Sequence, residues 1–394
     1  MSSARRSFAI YAITRHGVKI AQRLLPALPG ADLLISERLR DLAPDATCIF
    51  PLPMGPLLAE TFKRYDAHVF VISVGAVVRL IAPLLENKKV DPAVICVDDA
   101  SRYAICVLSG HVGRGNAFTE RVASALDAQA IVTTASDSIG TLTVDILGRE
   151  LGWNLDDPDR NVTRACAAVV NAERVLFVQE SGEPEFWPLN KTLPPGVHYT
   201  TSLEGVEPSA WDMLLIASHR DLARTHPRHF RAAVVYRPKS LVLGIGCDRD
   251  TPLELIERGI QHVFAEHGLC TRCIQALASI DKKADEPALL RLAAARGWPF
   301  QTYTAGELAR LGSAEGVRSP SDTVQRFVGS PGVCEPAALL RAGAKELLVP
   351  KQKYTEPGAG RSMTLAVAEV PFMKRVAALN SGTDDPRTVQ PQNS

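Results

Sequence analysis

Short runs of β-branched and aliphatic residues alternate along the chain with segments whose apolar residues recur every three or four positions. These are the periods of strands and of amphipathic helices. Over the first third they predict strand Phe8–Thr14, helix His16–Leu25, strand Asp32–Ile35, helix Met54–Tyr65 and strand Val69–Val74. Pro92–Asp98 and Arg102–Leu108 read as paired strands, joined through Asp99-Ala-Ser101, whose polar residues suit a turn. The glycine-rich stretch Ser109–Asn116 then leads into helix Ala117–Leu126 and strand Ala130–Thr134.

After Gly140 the pattern loosens. A helical opening is expected over Thr143–Leu151, a break over Asp156–Asp159, and strands over Arg174–Val178 and Met213–Ala217. Four prolines in Glu183–Gly196 argue against regular structure there. Leu241–Ile245 restarts the rhythm as a buried strand, followed by the amphipathic helix Pro252–Ala265. Alternation of strand and helix implies an α/β fold. The expected organisation is multidomain: an N-terminal α/β domain over 1–138, a smaller middle linking domain of α/β or α+β type over 139–239, and a C-terminal α/β domain over 240–379. Residues 380–394, rich in Asp, Pro, Gln, Asn and Ser, are expected to be disordered.

Composition narrows the function classes. The 394 residues carry 44 Lys+Arg against 43 Asp+Glu, and the balance holds within each expected domain, so no basic region for nucleic acid is visible. The longest apolar run, His68–Leu85, is interrupted by Arg79 and Pro83 and reads as a buried strand running into a helix, not as a membrane anchor. No apolar leader precedes the first strand, and a cytoplasmic location is expected. The eight cysteines are scattered and imply no disulfide framework.

Several stretches carry candidate chemistry. Leu241–Asp250 runs from a strand into glycines, but Arg249 stands where a dinucleotide fingerprint needs its third glycine, so a nicotinamide cofactor is not expected. What remains is a glycine turn presenting Asp248, Arg249 and Asp250 at a strand's carboxyl end, either as a ligand site or as solvated charges. Ser109–Asn116 lacks the Gly-Lys-Ser/Thr of a P-loop. Its backbone N–H groups before a helix could still hold a carboxylate, and His111 and Asn116 are its side chains suited to acid–base work or to orienting a carbonyl. The hydroxyls and carboxylate of Thr133–Asp137 cap a helix or touch a ligand. Cys270 and Cys273 form a single CxxC that lacks the remaining ligands of a structural zinc site and ends a helix instead of opening one, so neither metal binding nor a thioredoxin-type role is expected. Ser279, Asp281 and Lys282 lie at a strand end, Asp285 and Glu286 favour the start of helix Pro287–Arg296, and Glu335 opens helix Pro336–Ala342.

Ser73–Pro83 (SVGAVVRLIAP), Lys89–Pro92 (KVDP), Leu108–Asn116 (LSGHVGRGN) and Thr133–Asp137 (TTASD) together resemble the N-terminal domain of the cobalamin-biosynthesis CbiG family. Gly244–Cys247 (GIGC), Ala278–Asp281 (ASID), Asp285-Glu286 and Val328–Ala338 (VGSPGVCEPAA) resemble that family's C-terminal domain, in the same order. The middle region carries little of the likeness. One departure is visible: the family often has Gly-Gly-Ala-Asn before the helix, where this chain has Gly113-Arg-Gly-Asn116.

The resemblance implies cobalt-precorrin-5A hydrolase activity, which opens a δ-lactone on the macrocycle and releases a two-carbon fragment as acetaldehyde. The cobalt belongs to the substrate, so no cofactor or metal of the protein's own is expected. Water must attack a carbonyl, which calls for a general base and for donors aimed at the oxyanion. His111 is the expected base or proton shuttle, with Asn116 and the Gly113–Gly115 backbone as donors. Arg79, Asp137, Gly246, Asp248, Ser279, Lys282 and Glu335 are the expected contacts to the many-acid macrocycle. The partners expected are the cobalt-precorrin itself, a second copy of the chain and, transiently, other enzymes of the pathway. The competing reading is a carrier that binds a corrinoid intermediate without turnover.

Overall fold

The computed structural model describes residues 6–87, 90–134, 140–188, 192–312, 332–358 and 360–372. These fall into two compact units, 1–146 and 147–394. The expected tail 380–394 and Asp137 lie outside the described residues.

In the first unit the apolar runs become strands β1 (Arg6–Ala12), β2 (Asp32–Ser36), β3 (Cys48–Phe50), β4 (Tyr65–Val71), β5 (Ala93–Val97), β6 (Tyr103–Leu108) and β7 (Gln129–Ile131). They form one sheet in the order β3-β2-β1-β4-β5-β6-β7. The first five run parallel; β6 is antiparallel to β5, and β7 is parallel to β6. Helices α1 (Arg15–Leu24) and α4 (Gly115–Leu126) pack on one face, against Phe8, Ile10 and Ala12 of β1, while α2 (Gly55–Thr61) and α3 (Val74–Ile81) pack on the other, against Ala9 and Tyr11. Alternate residues of β1 thus serve opposite layers, which is why this strand reads as continuously apolar. α1 starts at Thr14, whose Oγ1 accepts the Gly17 N–H at 2.9 Å.

Two expectations on element length change here. The helix expected to reach Tyr65 ends at Thr61, and β4 begins at Tyr65, whose hydroxyl donates to Asp32 Oδ2 at 2.6 Å and so ties that residue to the sheet. The helix expected over Thr143–Leu151 reduces to turns and a short 3₁₀ segment, Arg149–Leu151, flanked by Gly148 and Gly152 at φ values of 70° and 78°. At Gly148 an added Cβ would fall 2.3 Å from the Trp153 ring, so only glycine fits there, and its left-handed φ interrupts a regular helix.

The second unit holds two sheets. The first has the order β10-β9-β11-β12-β8, formed by β8 (Asn154–Leu155), β9 (Val175–Gln179), β10 (Val197–Thr200), β11 (Met213–Ala217) and β12 (Ala233–Arg237); all are parallel except β8. The helix Val162–Val170 and strand β12 in this region were not foreseen from the sequence. The second sheet has the order β15-β14-β13-β17-β16, from β13 (Leu241–Cys247), β14 (Ile274–Ile280), β15 (Phe300–Tyr303), β16 (Val349–Thr355) and β17 (Ser362–Glu369). Helix Cys334–Ala342 lies directly on β13: a Cβ at Gly244 would sit 1.8 Å from the carbonyl oxygen of Cys334. Arg237, 1% exposed at the end of β12, donates to Asp156 Oδ2 at 2.8 Å and to Ser218 O at 3.1 Å. The mixed α/β character and the separate sheets agree with the fold class expected from the sequence. No helix among the described residues is long and apolar enough to cross a membrane.

Candidate functional site

The Ser109–Asn116 loop follows β6 and leads into α4. Because β6 runs against β5, this loop lies at the amino ends of the parallel strands, and Ser109 Oγ donates to the Asp91 carbonyl just before β5 at 2.9 Å. It is therefore remote from the carboxyl-end crevice between β1 and β4, where the strand order reverses and open α/β sheets usually bind ligands.

Within the loop the expected anion cradle is closed. The N–H groups of Arg114, Gly115 and Asn116 donate at 3.0 Å to the carbonyls of His111, Ser109 and Gly110. Arg114 takes a left-handed φ of 63° to make this turn. A Cβ at Gly113 would meet Ser109 Cβ at 2.5 Å, and one at Gly115 would meet the Leu108 carbonyl at 2.8 Å. Gly113 and Gly115 are thus needed for close packing of the loop on itself, and the Arg114 and Gly115 N–H groups are spent inside it. Of the donors expected over Gly113–Gly115, the Arg114 and Gly115 N–H groups are thus turned onto the loop's own carbonyls. Asn116 donates through Nδ2 to Thr134 Oγ1 at 2.8 Å, joining the loop to the segment after β7.

His111 stands differently. Its Nδ1 lies 3.3 Å from Asp145 Oδ1, with the two side chains 17% and 16% exposed. Among the described residues no donor is aligned on that carboxylate oxygen for a hydrogen bond, so the two groups meet by proximity. A histidine with a carboxylate on one ring nitrogen is held in one orientation and stabilised when it takes a proton on the other. Asp145 was not singled out from the sequence. It sits 34 positions beyond His111 in what read as a helical opening, and only the fold brings it back.

The residues expected in the C-terminal sheet separate into contacts and scaffolding. Asp248 follows β13, and its Oδ2 accepts from Ser362 N at 2.7 Å and Ser362 Oγ at 3.0 Å, closing the strand pair β13–β17. Arg249 is locked on Asp285 by two bonds of 2.6 Å, which holds the Asp285 carboxyl below the usual range. Buried Glu286 accepts from Asp250 N at 3.0 Å and from Lys283 Nζ at 2.9 Å. Ser279 is wholly buried, and its hydroxyl donates to the Ile245 carbonyl at 2.6 Å. Ser279 therefore staples β14 to β13 and offers no surface to a ligand, contrary to expectation. Glu335 is 1% exposed, and its Oε1 accepts the Lys351 N–H at 3.0 Å. It too is interior. Lys282 is exposed. Gly246, half-buried in β13, faces Thr364, whose Oγ1 an added Cβ would approach to 2.7 Å. In the first unit Arg79 is exposed and donates to the Gly75 carbonyl one turn back along α3 at 2.9 Å.

A cavity of about 600 Å³ in the second unit holds none of the expected residues. It opens where β9 and β10 end, and Gln179, Glu180, Ser181, Tyr199, Glu369 and Phe372 are among its lining residues. Glu369 accepts from or pairs with His219 Nδ1 at 3.0 Å, and Glu180 is paired with Arg220 at 3.4 Å. Its position follows the switch-point rule, since β10 and β11 lie on opposite sides of β9. The Gln179-Glu-Ser-Gly182 strand end was the available signal.

Three family profiles match the chain: cobalamin synthesis G N-terminal over residues 56–137, cobalamin biosynthesis central region over 142–238, and cobalamin synthesis G C-terminus over 241–368. A cobalt-precorrin-5A hydrolase from Priestia megaterium is 37% identical over 370 residues, covering 93% of this chain and 96% of that protein. One from Salmonella typhimurium is 29% identical over 85% of this chain and 91% of its own. Protein CobE of a Sinorhizobium species is 36% identical over 109 residues, which is 28% of this chain and 70% of that protein. The likeness to the Priestia protein thus spans almost the whole of both sequences, and this chain belongs to the cobalamin synthesis G (CbiG) family.

Proposed function

We propose that this protein is a cobalt-precorrin-5A hydrolase, adding water to the macrocycle's δ-lactone and releasing acetaldehyde. The observation that carries the reading is the 37% identity that covers 96% of the Priestia hydrolase. The His111–Asp145 pair gives it a chemical centre. His111 takes a proton from water as the oxygen adds to the lactone carbonyl. The acyl–oxygen bond breaks, leaving a carboxylate and an alkoxide. The alkoxide then becomes the aldehyde carbonyl as the adjacent carbon–carbon bond breaks, and that bond's electron pair passes into the conjugated ring. The balance is one water in and one acetaldehyde out, which makes the overall reaction hydrolysis of a carbon–carbon bond.

Asp145 positions the imidazole and stabilises it once protonated. Exposed Arg79, in the unit that carries His111, is suited to meet a carboxylate of the substrate. Asn116 reaches the lactone oxygen in this reading by exchanging its Thr134 partner for the substrate.

A carrier would bind the pigment and release nothing. The CobE match covers only 28% of the chain, whereas the hydrolase match runs through 93%. Purified protein mixed with cobalt-precorrin-5A and coupled to alcohol dehydrogenase is expected to consume NADH in proportion to substrate. A shifted corrinoid spectrum with no NADH consumed would instead assign the carrier role.

A further inference from the structure

We propose that Cys270 and Cys273 form a reactive dithiol that exchanges with low-molecular-weight disulfides, Cys270 making the first bond and Cys273 closing the intramolecular one. The inference is independent of the hydrolase reading.

The helix Leu253–Glu266 ends just before Cys270, and the short 3₁₀ turn Thr271–Cys273, closed by the Cys273 N–H on the Cys270 carbonyl at 3.0 Å, sets the two side chains one turn apart on the same side. Cys270 is partly exposed, and Cys273 is wholly buried with its Sγ 3.6 Å from the Ser218 carbonyl. The backbone fixes Cys270 further, because its N–H donates to the His219 carbonyl at 2.8 Å. Cys270 is therefore the more open of the two to a reagent, and Cys273 lies in the interior.

The charges around the pair favour a thiolate at the outer position. Buried Arg237 reaches in from the end of β12, and its Nε–H has no hydrogen-bond partner among the described residues. Its charge acts on both sulfurs. The adjacent Cys273 thiol is the largest influence on Cys270, opposed by burial and helped by Arg237 and the Arg272 backbone, with Asp156 acting weakly the other way. The outcome is a Cys270 thiol drawn down to about 6, while burial and the neighbouring Cys270 push Cys273 well up, despite Arg237 and Lys239. Burial pushes Cys96, Cys247 and Cys334 up to about 11. A thiolate is the nucleophile in disulfide exchange, so reactivity concentrates on one cysteine.

The steps balance without a further reagent. The Cys270 thiolate attacks one sulfur of the small disulfide, the sulfur–sulfur bond breaks, and a small thiolate leaves. Cys273 gives its proton to that thiolate or to solvent and attacks the Cys270 sulfur, expelling the second small thiol. The protein dithiol is oxidised to a disulfide, and the small disulfide is reduced to two thiols.

Native protein treated with iodoacetamide at a series of pH values and digested for mass spectrometry is expected to carry label first at Cys270, with a half-maximal rate near pH 6. Oxidised glutathione is expected to leave wild type two hydrogens lighter, with Cys270 linked to Cys273, and to stop at a glutathione adduct on Cys270 in Cys273→Ser. The wild-type measurements stand alone should that variant fold poorly. Labelling that begins at any other cysteine, a half-maximal rate at the pH of an ordinary thiol, or a wild-type protein left unchanged by glutathione would each overturn the proposal.

Discussion

Asp145 Oδ1 lies 3.3 Å from His111 Nδ1, across a loop whose glycines are packed against their own neighbours. The pair sets a side chain able to take a proton beside a carboxylate that favours its protonated form, and the two are 17% and 16% exposed. If Asp145 acts through His111, Asp145→Asn should lower kcat by about tenfold to a hundredfold, part of the range general-base catalysis supplies, and leave KM nearly unchanged. Steady-state acetaldehyde release would measure both. An equal rise in KM with kcat unchanged would instead place Asp145 in substrate binding.

The close approach of Leu108 and Gly115 makes a second prediction. A Cβ at Gly115 meets the Leu108 carbonyl at 2.8 Å, and backbone cannot move aside as a flexible side chain can. Gly115→Ala should cost about 1–3 kcal/mol of stability, the usual range for overpacking, and should distort the loop that carries His111. Urea denaturation checks the first part, and the kcat of the folded fraction checks the second. An unchanged midpoint would show that the loop has another conformation open to it.

Ser279 separates scaffolding from substrate contact. Its buried hydroxyl donates to Ile245 at 2.6 Å, so Ser279→Ala should lose about 1 kcal/mol, the net worth of a typical hydrogen bond, without changing KM. A raised KM at undiminished stability would restore Ser279 as a ligand contact.

The sequence speaks most clearly where the local signal and the tertiary environment agree. The strand pair β5–β6 was legible because Asp98, at the turn, accepts the Arg102 and Tyr103 N–H groups at 2.8 and 2.7 Å through its side chain, a local bond that residue type foretells. Helix Pro287–Arg296 and strand β11 fall on their expected limits for the same reason, a run of one period with firm ends. The helix over Thr143–Leu151 failed because Gly148 and Gly152 take left-handed φ values of 70° and 78°, which periodicity does not encode. At the site, the His111 loop could be picked out by its glycines, but not that its N–H groups would be consumed internally. Asp145 and the cavity beside Ser181 depend on how strands are ordered in a sheet, and a single sequence does not print that order.

The account turns on whether His111 drives loss of the two-carbon fragment. Acetaldehyde release from cobalt-precorrin-5A, followed through NADH consumption with wild type and with His111→Ala shown to be folded by circular dichroism, tests this most directly. The account predicts steady turnover by wild type and a fall of about a hundredfold or more in the variant. A variant as fast as wild type would contradict the assignment of the base, and a wild-type protein that binds the pigment yet releases no acetaldehyde would contradict the hydrolase itself.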